Sequence, residues 1–428
     1  MKPNKPYKKI EIMAVGSEML SPYFQDSNSL YITKRLNELG LDVSFKTIVG
    51  DNWEDLLTSI KQSLSRTDIL FAIGGLGPTQ DDITREAFAS VLKKKLLYHD
   101  EILEKIQERF KQRGMTMPVV NKKQAYIIEG STVLDNACGT APGLWLEHNK
   151  KTIVLLPGPP NELKSMFESH VWPRLQVFHR RSSEKKIIKI TGLTESKIES
   201  ILSDIYPNDS SIKLTILARP GQIEIHILCY SDSSQAHAHK KAIFIEKRIL
   251  DRLKDNVFST SNEELEHVVG KLLTMNKETL AVAESCTGGY LGHRLTNIPG
   301  SSNYFIQGVI AYSNDTKIKL LGVSHQIIDK YGAVSAQVAE AMAEGIRRTA
   351  NTNYGLSITG IAGPTGGTPK KPVGLVYTAL SWANGNTVKE NRFLGDRKSI
   401  KFQSSQEALD MLRRFLMRGK ENISDMSN

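Results

Sequence analysis

The sequence predicts an α/β protein with a doubly wound N-terminal domain, a small α+β middle module and a C-terminal α/β domain. Strand-like and helix-like apolar periodicities alternate along the first part of the chain, as they do in doubly wound sheets. Glycine-rich turns follow several predicted strands directly, which is typical of the ligand-binding edge of a parallel sheet. The 428 residues also exceed the usual size of a single hydrophobic core.

The N-terminal domain, residues 1–175, is predicted from this alternation. Ile32, Leu36 and Leu39 fall on one face of a helix that Gly40 ends. Each predicted strand is a short run of apolar and β-branched residues. The predicted strands are 10–15, 43–49, 68–73 and 152–156, and the predicted helices are 27–39 and 53–64.

The remaining chain is predicted to form two smaller parts. Residues 181–257 contain strands at 187–190, 213–218 and 222–229 and helices at 195–205 and 236–253. The C-terminal domain, residues 261–420, opens with Ser261 and Glu264 in the spacing of a helix capping box. Its predicted strands are 280–283, 304–312, 355–359 and 374–382, with an amphipathic helix at 335–350 capped by Ser335.

Composition favours a globular protein of the cytoplasm, with 40% hydrophobic and 24% charged residues. No apolar run of about 18 residues predicts a membrane helix. The basic segment 1–9 lacks the apolar core of a signal peptide, and three widely spaced cysteines do not make a disulfide framework. The net charge of +10 fits either anionic partners or a solvated lysine-rich surface, so charge alone selects no partner.

The first motif of chemical interest follows the predicted strand 68–73. Glycines at such a turn let backbone N–H groups approach a phosphate, and a threonine can add its hydroxyl. The candidate phosphate-binding residues here are Gly74, Gly75, Gly77 and Thr79. Asp81 and Asp82 come next, and paired carboxylates suit a hard divalent cation. Alternatively, the segment is a plain strand-to-helix turn in which one aspartate caps the next helix.

Two further turns favour the site over the plain turn. Glu18 follows the first predicted strand within Gly-Ser-Glu, and Gly158 follows the strand 152–156 within Pro-Gly-Pro-Pro. Because the carboxyl ends of parallel strands meet at one edge of a sheet, we expect the three turns to converge. The sequence therefore predicts a phosphate site that includes Gly158, with Glu18, Asp81 and Asp82 as ligands of a divalent metal.

The second motif is the turn after the predicted strand 280–283, with the sequence Glu-Ser-Cys-Thr-Gly-Gly. Ser285 at a glycine-flanked turn before a helix is well placed as a nucleophile. Alternatively, Ser285 or Thr287 only caps the helix, and Cys286 is a rival nucleophile. No histidine is an obvious partner, so the best candidate base is Lys317, which requires burial to lower its pKa.

A third glycine-rich turn follows the predicted strand 355–359. Thr359 and Gly360 open it, and Arg397, further along the chain, is of the residue type preferred for bidentate phosphate contacts. Each of these alone is more typical of turn chemistry than of a site. Together with the serine turn they outline a pocket for a phosphorylated substrate.

These motifs resemble the CinA family over essentially the whole chain. Gly-Gly-Leu-Gly-Pro-Thr-x-Asp-Asp-x-Thr at 74–84 is similar to the family's molybdopterin-binding-like domain, and motifs at 136–143 and 157–162 match its later signatures. Glu-Ser-Cys-Thr-Gly-Gly, Tyr-Ser-Asn and Gly-Ile-Ala-Gly-Pro resemble its C-terminal nicotinamide-nucleotide amidase domain. The middle module looks like the family's KH-type domain.

The resemblance implies a hydrolase that converts nicotinamide mononucleotide into nicotinate mononucleotide and ammonia without a cofactor. Ser285 would be the nucleophile, assisted by Lys317 and Tyr312. The substrate-binding residues would be Thr287, Gly288, Gly289, Asn314, Thr359, Gly360 and Arg397. The resemblance also implies that the N-terminal domain cleaves ADP-ribose to AMP and ribose 5-phosphate with a divalent metal, and that the chain forms a homodimer.

The alternative is a protein without catalysis in its N-terminal domain, which binds molybdopterin or a nucleotide in connection with competence. The middle module lacks the Gly-x-x-Gly loop with which KH domains clamp a nucleic-acid backbone. We therefore expect no specific nucleic-acid partner and no membrane partner, and assign this module a structural or dimerising role.

Overall fold

The computed structural model describes residues 8–176, 182–205, 209 and 211–424, with side chains up to 418. Most of the basic segment 1–9 thus lies outside the described residues. The chain divides into two compact units, one formed by the residues up to 183 with 230–237, the other by 184–229 and the residues from 238 onwards. Among the described residues no helix is both long and apolar enough to span a membrane.

The first unit contains one six-stranded sheet and one two-stranded sheet. Its strands are β1 (Ile10–Val15), β2 (Val43–Val49), β3 (Ile69–Ile73), β4 (Leu96–Tyr98), β5 (Tyr126–Ile128), β6 (Thr132–Leu134), β7 (Gly143–His148) and β8 (Lys151–Leu156). The large sheet has the order β2-β1-β3-β8-β7-β6, in which β2, β1, β3 and β8 are parallel. The four strands predicted for this domain therefore form its parallel part.

Helices cover both faces of this sheet. They are α1 (Ser27–Glu38), α2 (Trp53–Arg66), α3 (Thr84–Leu92), α4 (Asp100–Gln112), α5 (Pro160–Met166) and α6 (Trp172–Leu175), with shorter helical turns at Ser17–Leu20, Val119–Ala125 and Phe167–Val171. Alternate strand residues enter two separate cores: Leu70 packs with α2 and α3, whereas Phe71 packs with α1 and α5. The predicted doubly wound fold is confirmed.

The middle module is a four-stranded sheet covered by two helices. Its strands are β9 (Ser182–Ile190), β10 (Ile212–Arg219), β11 (Gln222–Ser231) and β12 (Val257–Ser259), and its helices are α7 (Glu195–Leu202) and α8 (Gln235–Leu253). The sheet order is β10-β11-β9-β12, and Lys254–Asn256 forms a short helical turn before β12. Ile188, Ile225 and Ile249 from three of these elements share one core.

The C-terminal part is a five-stranded sheet between helices. The helices are α9 (Leu265–Asn276), α10 (Tyr290–Thr296), α11 (Asn314–Leu321), α12 (His325–Tyr331), α13 (Ala336–Ala350) and α14 (Arg397–Ser424), with a turn at Ser301–Asn303. The strands are β13 (Leu280–Glu284), β14 (Phe305–Ile310), β15 (Tyr354–Gly360), β16 (Leu375–Trp382) and β17 (Gly385–Arg392), in the order β14-β13-β15-β16-β17. Because β14, β13 and β15 are parallel, the turns after them meet at one edge.

One local prediction in this part is wrong. Ser261 does not cap α9, because the N-cap residue is Glu264 and its side chain makes no capping hydrogen bond. Ser261 instead donates its hydroxyl to Glu263, while Glu264 accepts a hydrogen bond of 2.6 Å from Lys189 Nζ. The predicted N-cap at Ser335 is confirmed, since its hydroxyl accepts the N–H of Val338.

Candidate active site

The C-terminal turn that carries Ser285 joins the end of β13 to the start of α10. The Ser285 N–H donates to Ile358 O at 2.9 Å, which continues the parallel pairing of β13 with β15 past its last strand residue. Gly288 and Gly289 have φ angles of +61° and +89°, in the region that glycine adopts without strain. They reverse the chain within five residues and leave Ser285 at the centre of the sheet edge.

Ser285 faces Lys317, which projects from α11. The Lys317 Nζ to Ser285 Oγ distance is 3.1 Å, and both side chains are buried, with Lys317 only 1% exposed. Lys317 Nζ also donates to the carbonyl oxygens of Ala311 at 2.8 Å and Tyr312 at 3.4 Å. A neutral amine has two hydrogens and one lone pair. The two carbonyls can take the hydrogens, so that the lone pair points at the serine hydroxyl.

Burial affects both the candidate base and the rival nucleophile Cys286. Burial lowers the pKa of Lys317, which favours the neutral amine that a general base needs. Burial also raises the pKa of Cys286 to about 12, and the nearby Glu284 carboxylate acts in the same direction. A thiol in that state is a poor nucleophile at neutral pH. The geometry and the electrostatics therefore favour Ser285 over Cys286.

The backbone N–H groups of the turn 286–289 are only partly free to bind a substrate oxygen. The Gly288 N–H donates to Ser285 O at 3.1 Å and closes the turn. The N–H groups of Cys286 and Thr287 make no hydrogen bond with another residue in the described part of the chain. The hydroxyl of Thr287 is also buried and has no partner among those residues. Cys286 and Thr287 thus offer unpaired backbone donors beside Ser285.

The other predicted substrate-binding residues differ in their placement. Arg397, at the start of α14, donates to Gly363 O at 2.7 Å and to the hydroxyl of Tyr312 at 3.2 Å. Tyr312 is 62% exposed, and Asn314 is exposed at the first position of α11. Thr359 is buried and donates its hydroxyl to Ala333 O at 2.8 Å, with Gly360 next to it at the end of β15. Arg397 and Tyr312 therefore lie together, and the hydroxyl hydrogen of Thr359 is already engaged.

A cavity of about 550 Å³ lies against Arg397. Its lining is positively charged, because Lys398 and Lys401 join Arg397 there, with Asp396 as the one carboxylate. Lys401 Nζ lies 3.7 Å from where a Cβ on Gly288 would stand, so its ammonium is next to the serine turn. Sequence reasoning missed Lys401, although its spacing of four residues from Arg397 puts both on one helix face.

In the N-terminal unit, the three glycine turns converge as predicted. They line one cavity of about 580 Å³ beyond the ends of β1, β3 and β8, and the predicted residues in its wall are Glu18, Gly74, Gly75, Gly77, Thr79, Asp81, Asp82 and Gly158. Their donors are not equally free. The Gly74 N–H donates to Leu156 O, whereas those of Gly75 and Gly77 have no partner among the described residues.

The carboxylates of this cavity are not arranged as a metal site. Asp82 Oδ2 accepts the N–H of Thr79 at 2.9 Å and its hydroxyl at 2.6 Å, as a turn-capping aspartate does. Within the described residues no group of three or more potential ligands stands close enough to hold an ion. Glu18, Asp81 and Asp82 are therefore not grouped around one ion position in this structure, and a metal at this cavity stays a prediction. Asp51 and Glu162 also line the cavity and were missed from the sequence.

Comparison with known proteins gives the family. Residues 11–177 match the family described as a probable molybdopterin binding domain, 185–259 the damage-inducible protein CinA KH domain, and 262–416 the CinA C-terminal domain. A CinA-like protein of Acidobacterium capsulatum is 45% identical, covering 95% of this chain and 99% of the relative. The chain belongs to the CinA family.

Two other similar proteins differ in how much of this chain they cover. A putative competence-damage inducible protein of Caldicellulosiruptor saccharolyticus is 44% identical, over 95% of this chain and 99% of the relative. The crystal structure of the competence/damage inducible protein CihA from Agrobacterium tumefaciens is 39% identical, with a TM-score of 0.35, over 36% of this chain and 95% of that chain.

The KH match falls on a module whose β10–β11 connection is a two-residue turn. Pro220 and Gly221 form it, with Gly221 at a φ of +71°. Residues 185–259 also contain no Gly-x-x-Gly sequence, the loop with which KH domains contact a nucleic-acid backbone. In this CinA protein the module therefore has the KH-like fold without that family's usual backbone clamp.

Proposed function

We propose that the C-terminal part hydrolyses the carboxamide of nicotinamide mononucleotide, giving nicotinate mononucleotide and ammonia. The observation that carries this proposal is the buried pair of Ser285 and Lys317, whose Oγ and Nζ atoms lie 3.1 Å apart. A serine activated by a lysine that burial keeps neutral is the arrangement of serine–lysine acyl-transfer enzymes. Family membership in CinA is compatible with a hydrolase of this kind.

In the reaction we propose, neutral Lys317 takes the hydroxyl proton of Ser285 as its oxygen attacks the carboxamide carbon. The N–H groups of Cys286 and Thr287 donate to the oxygen of the tetrahedral intermediate. The protonated Lys317 then gives its proton to the departing nitrogen, which leaves as ammonia. Water, deprotonated by the same amine, hydrolyses the acyl ester and releases the carboxylate product.

The charge around the cavity at Arg397 supports a phosphorylated substrate. Arg397, Lys398 and Lys401 place three cations at its wall, and a phosphate monoester carries close to two negative charges. The exposed ring of Tyr312 lies beside Arg397 and offers a π face to a cationic pyridinium ring. A nucleotide with a positively charged base and a phosphate would match both features.

The test compares Ser285→Ala with Cys286→Ala in an assay of ammonia release from the mononucleotide. Loss of the nucleophile is expected to lower kcat by about 1,000-fold or more. Cys286→Ala removes only one sulfur from a packed side chain and should keep kcat within about tenfold, since its cost is mainly a small cavity. An active Ser285→Ala protein with an inactive Cys286→Ala protein would assign the nucleophile to the cysteine. Wild-type protein that releases no ammonia would refute the proposed reaction.

We also propose that the N-terminal cavity binds a phosphorylated nucleotide, for which ADP-ribose is the candidate. The support is the convergence of three strand-end turns on one cavity, with the N–H groups of Gly75 and Gly77 unpaired among the described residues. Metal-dependent cleavage of ADP-ribose stays a prediction, because the carboxylates do not form a coordination set here. Calorimetric titration with ADP-ribose, in chelator and then with a divalent cation, tests binding, and release of AMP tests cleavage.

A further inference from the structure

Glu284 is a buried carboxylate immediately before the serine, and the reaction proposed above gives it no role. It is 2% exposed. Its Oε2 accepts the N–H of Leu291 at 3.0 Å, and its Oε1 accepts the N–H of Gly292 at 2.8 Å. These two bonds join the residue that precedes Ser285 to residues that follow Gly289. The whole serine turn is therefore closed into a ring by one side chain.

The electrostatics make a purely incidental carboxylate costly at this position. Burying an ionised group has a large desolvation penalty unless hydrogen bonds compensate it. The site must also stabilise a negative charge that develops at the substrate oxygen, and a nearby anion opposes that. Both oxygens of Glu284 face N–H groups at the start of α10, which offset its charge. A carboxylate kept under these conditions points to a geometric task.

The backbone of Glu284 also connects the serine turn to the base. Its carbonyl oxygen accepts the N–H of Ala311 at 2.7 Å, and Ala311 O accepts Lys317 Nζ at 2.8 Å. The side chain thus fixes the turn that carries Ser285, while the main chain fixes the carbonyl that orients Lys317. The positions of Ser285 and of Lys317 therefore both depend on hydrogen bonds of Glu284.

We propose that Glu284 is a positioning residue, whose carboxylate holds the serine turn so that Ser285 faces Lys317 and the N–H groups of Cys286 and Thr287 face the substrate. The catalytic part of this inference rests on the amidase function proposed above. Burial is the main cause of the raised pKa of Cys286, and the Glu284 carboxylate adds to it. The main task of Glu284 is therefore geometric.

The first test is Glu284→Gln, which keeps the shape but has one acceptor oxygen. Its NH₂ group would face a backbone N–H, so one side of the ring opens. We expect kcat for the mononucleotide to fall about 100-fold, as for a reacting group displaced by about 1 Å, with KM within about threefold of wild type. The matched control is Glu266→Gln, which removes the 2.6 Å ion pair between α9 and Arg294 of α10. An equal loss of kcat in both variants would mean that any anchor of α10 suffices and would overturn the proposal.

The donor side of the ring gives a second pair of variants, which stands even where Glu284→Gln does not fold. Gly292→Pro deletes the N–H that Glu284 accepts, at the third residue of α10, where the N–H has no partner within the helix. Gly292→Ala keeps the N–H, and its Cβ would meet nothing nearer than 3.5 Å. We expect a loss of kcat of about tenfold for the proline variant and none for the alanine variant. Equal kcat in the two variants contradicts the proposal.

A readout without substrate separates this inference from the amidase proposal. Alkylation by iodoacetamide, followed by peptide mass spectrometry, reports on Cys286, with the exposed Cys138 as the internal standard. Opening the ring and removing the anion should raise the alkylation rate of Cys286 by about tenfold or more in Glu284→Gln, but not in Glu266→Gln. If wild type shows no amidase activity but this pattern holds, only the proposed function fails. If Cys286 reacts equally slowly in all three proteins, the clamp itself is refuted.

Discussion

Two glycine-bearing turns of this protein, at 74–79 and at 285–289, have the same place in their folds but differ in what their side chains contact. Both follow a central parallel strand, β3 in the N-terminal unit and β13 in the C-terminal part. In the serine turn, the reactive groups are buried and bonded across elements, as Ser285 is with Lys317. In the N-terminal turn, Asp82 is bonded to Thr79 within its own loop, and Asp81 is exposed.

This difference shows what a shifted pKa requires beyond a glycine turn. A glycine turn at a sheet edge supplies unpaired backbone donors in both places, among the described residues. A shifted pKa requires in addition a titratable side chain that is buried away from water. Lys317, which projects from α11, is such a side chain. The N-terminal turn thus offers backbone donors, whereas the serine turn also faces a buried lysine.

The largest effect expected from breaking this contrast is at Lys317. Since burial lowers its pKa, kcat/KM should rise with pH as the amine loses its proton, with a midpoint below the usual lysine value. Lys317→Arg stays protonated throughout and should lose about 1,000-fold or more in kcat. The measurement is ammonia release between about pH 6 and 10. A flat profile in that range, or an active arginine variant, would remove Lys317 as the base.

The same shift has a consequence for stability, with a definite sign. A folded-state pKa below the unfolded value means that the unfolded chain binds the proton more tightly, so folding is favoured as pH rises between the two values. Lys317→Met lacks this group and should lose that part of the pH dependence in chemical denaturation. If the pH dependence of the unfolding free energy is the same in Lys317→Met and wild type, then folding does not lower the pKa of Lys317.

A smaller effect is expected at Lys401, which has no partner among the described residues, lines the cavity at Arg397 and lies next to the serine turn at Gly288. Lys401→Ala should raise KM for the mononucleotide by about 10-fold to 100-fold, the range for losing a charged hydrogen bond. Hydrolysis of the unphosphorylated nucleoside should change little. The control is Lys319→Ala, an exposed lysine of α11. Equal losses with both substrates would show that Lys401 does not recognise the phosphate.

Much of the fold was predictable because its signals are local. The strand predicted at 10–15 coincides with β1, and the one at 43–49 coincides with β2, since each is a short segment rich in apolar and β-branched residues between turns. The predicted capping box at Ser261 failed because tertiary context overrode the local pattern, with Glu264 paired to Lys189 from β9. α14 was not predicted, and it contributes Leu409 and Leu412 to a core whose members outside α14 are distant in sequence.

The site divides in the same way. Ser285 and Lys317 were found from turn chemistry and from the residue types that nucleophilic catalysis requires, and their mutual distance of 3.1 Å depends on the pairing of β13 with β14. Glu284 was missed because an acidic residue at a strand end has no sequence signal for bonding forward to residues 291 and 292. The metal prediction from Asp81 and Asp82 relied on adjacency, which does not determine where two neighbouring carboxylates point.

The smallest effect is expected at Asp82. The sign of the change in ADP-ribose affinity distinguishes an aspartate that binds a metal from one that only caps its turn. Asp82 lines the N-terminal cavity, and its carboxylate accepts from Thr79 through one oxygen, which asparagine can also provide. Asp82→Asn therefore keeps the turn and removes one negative charge. Without a bridging cation that charge repels a phosphate by about 1 kcal/mol at 4 Å in water. In chelator, Asp82→Asn should accordingly bind ADP-ribose several-fold more tightly than wild type in calorimetric titration.

A bridging cation would reverse this result. Wild type would then gain affinity when a divalent cation is added and Asp82→Asn would not, because the ion would have lost a ligand. That outcome would restore the metal site predicted from Asp81 and Asp82, against the arrangement seen here. Ammonia release from the mononucleotide is the internal control. It should stay within about twofold of wild type, since Asp82 belongs to one compact unit and the serine turn with its base to the other.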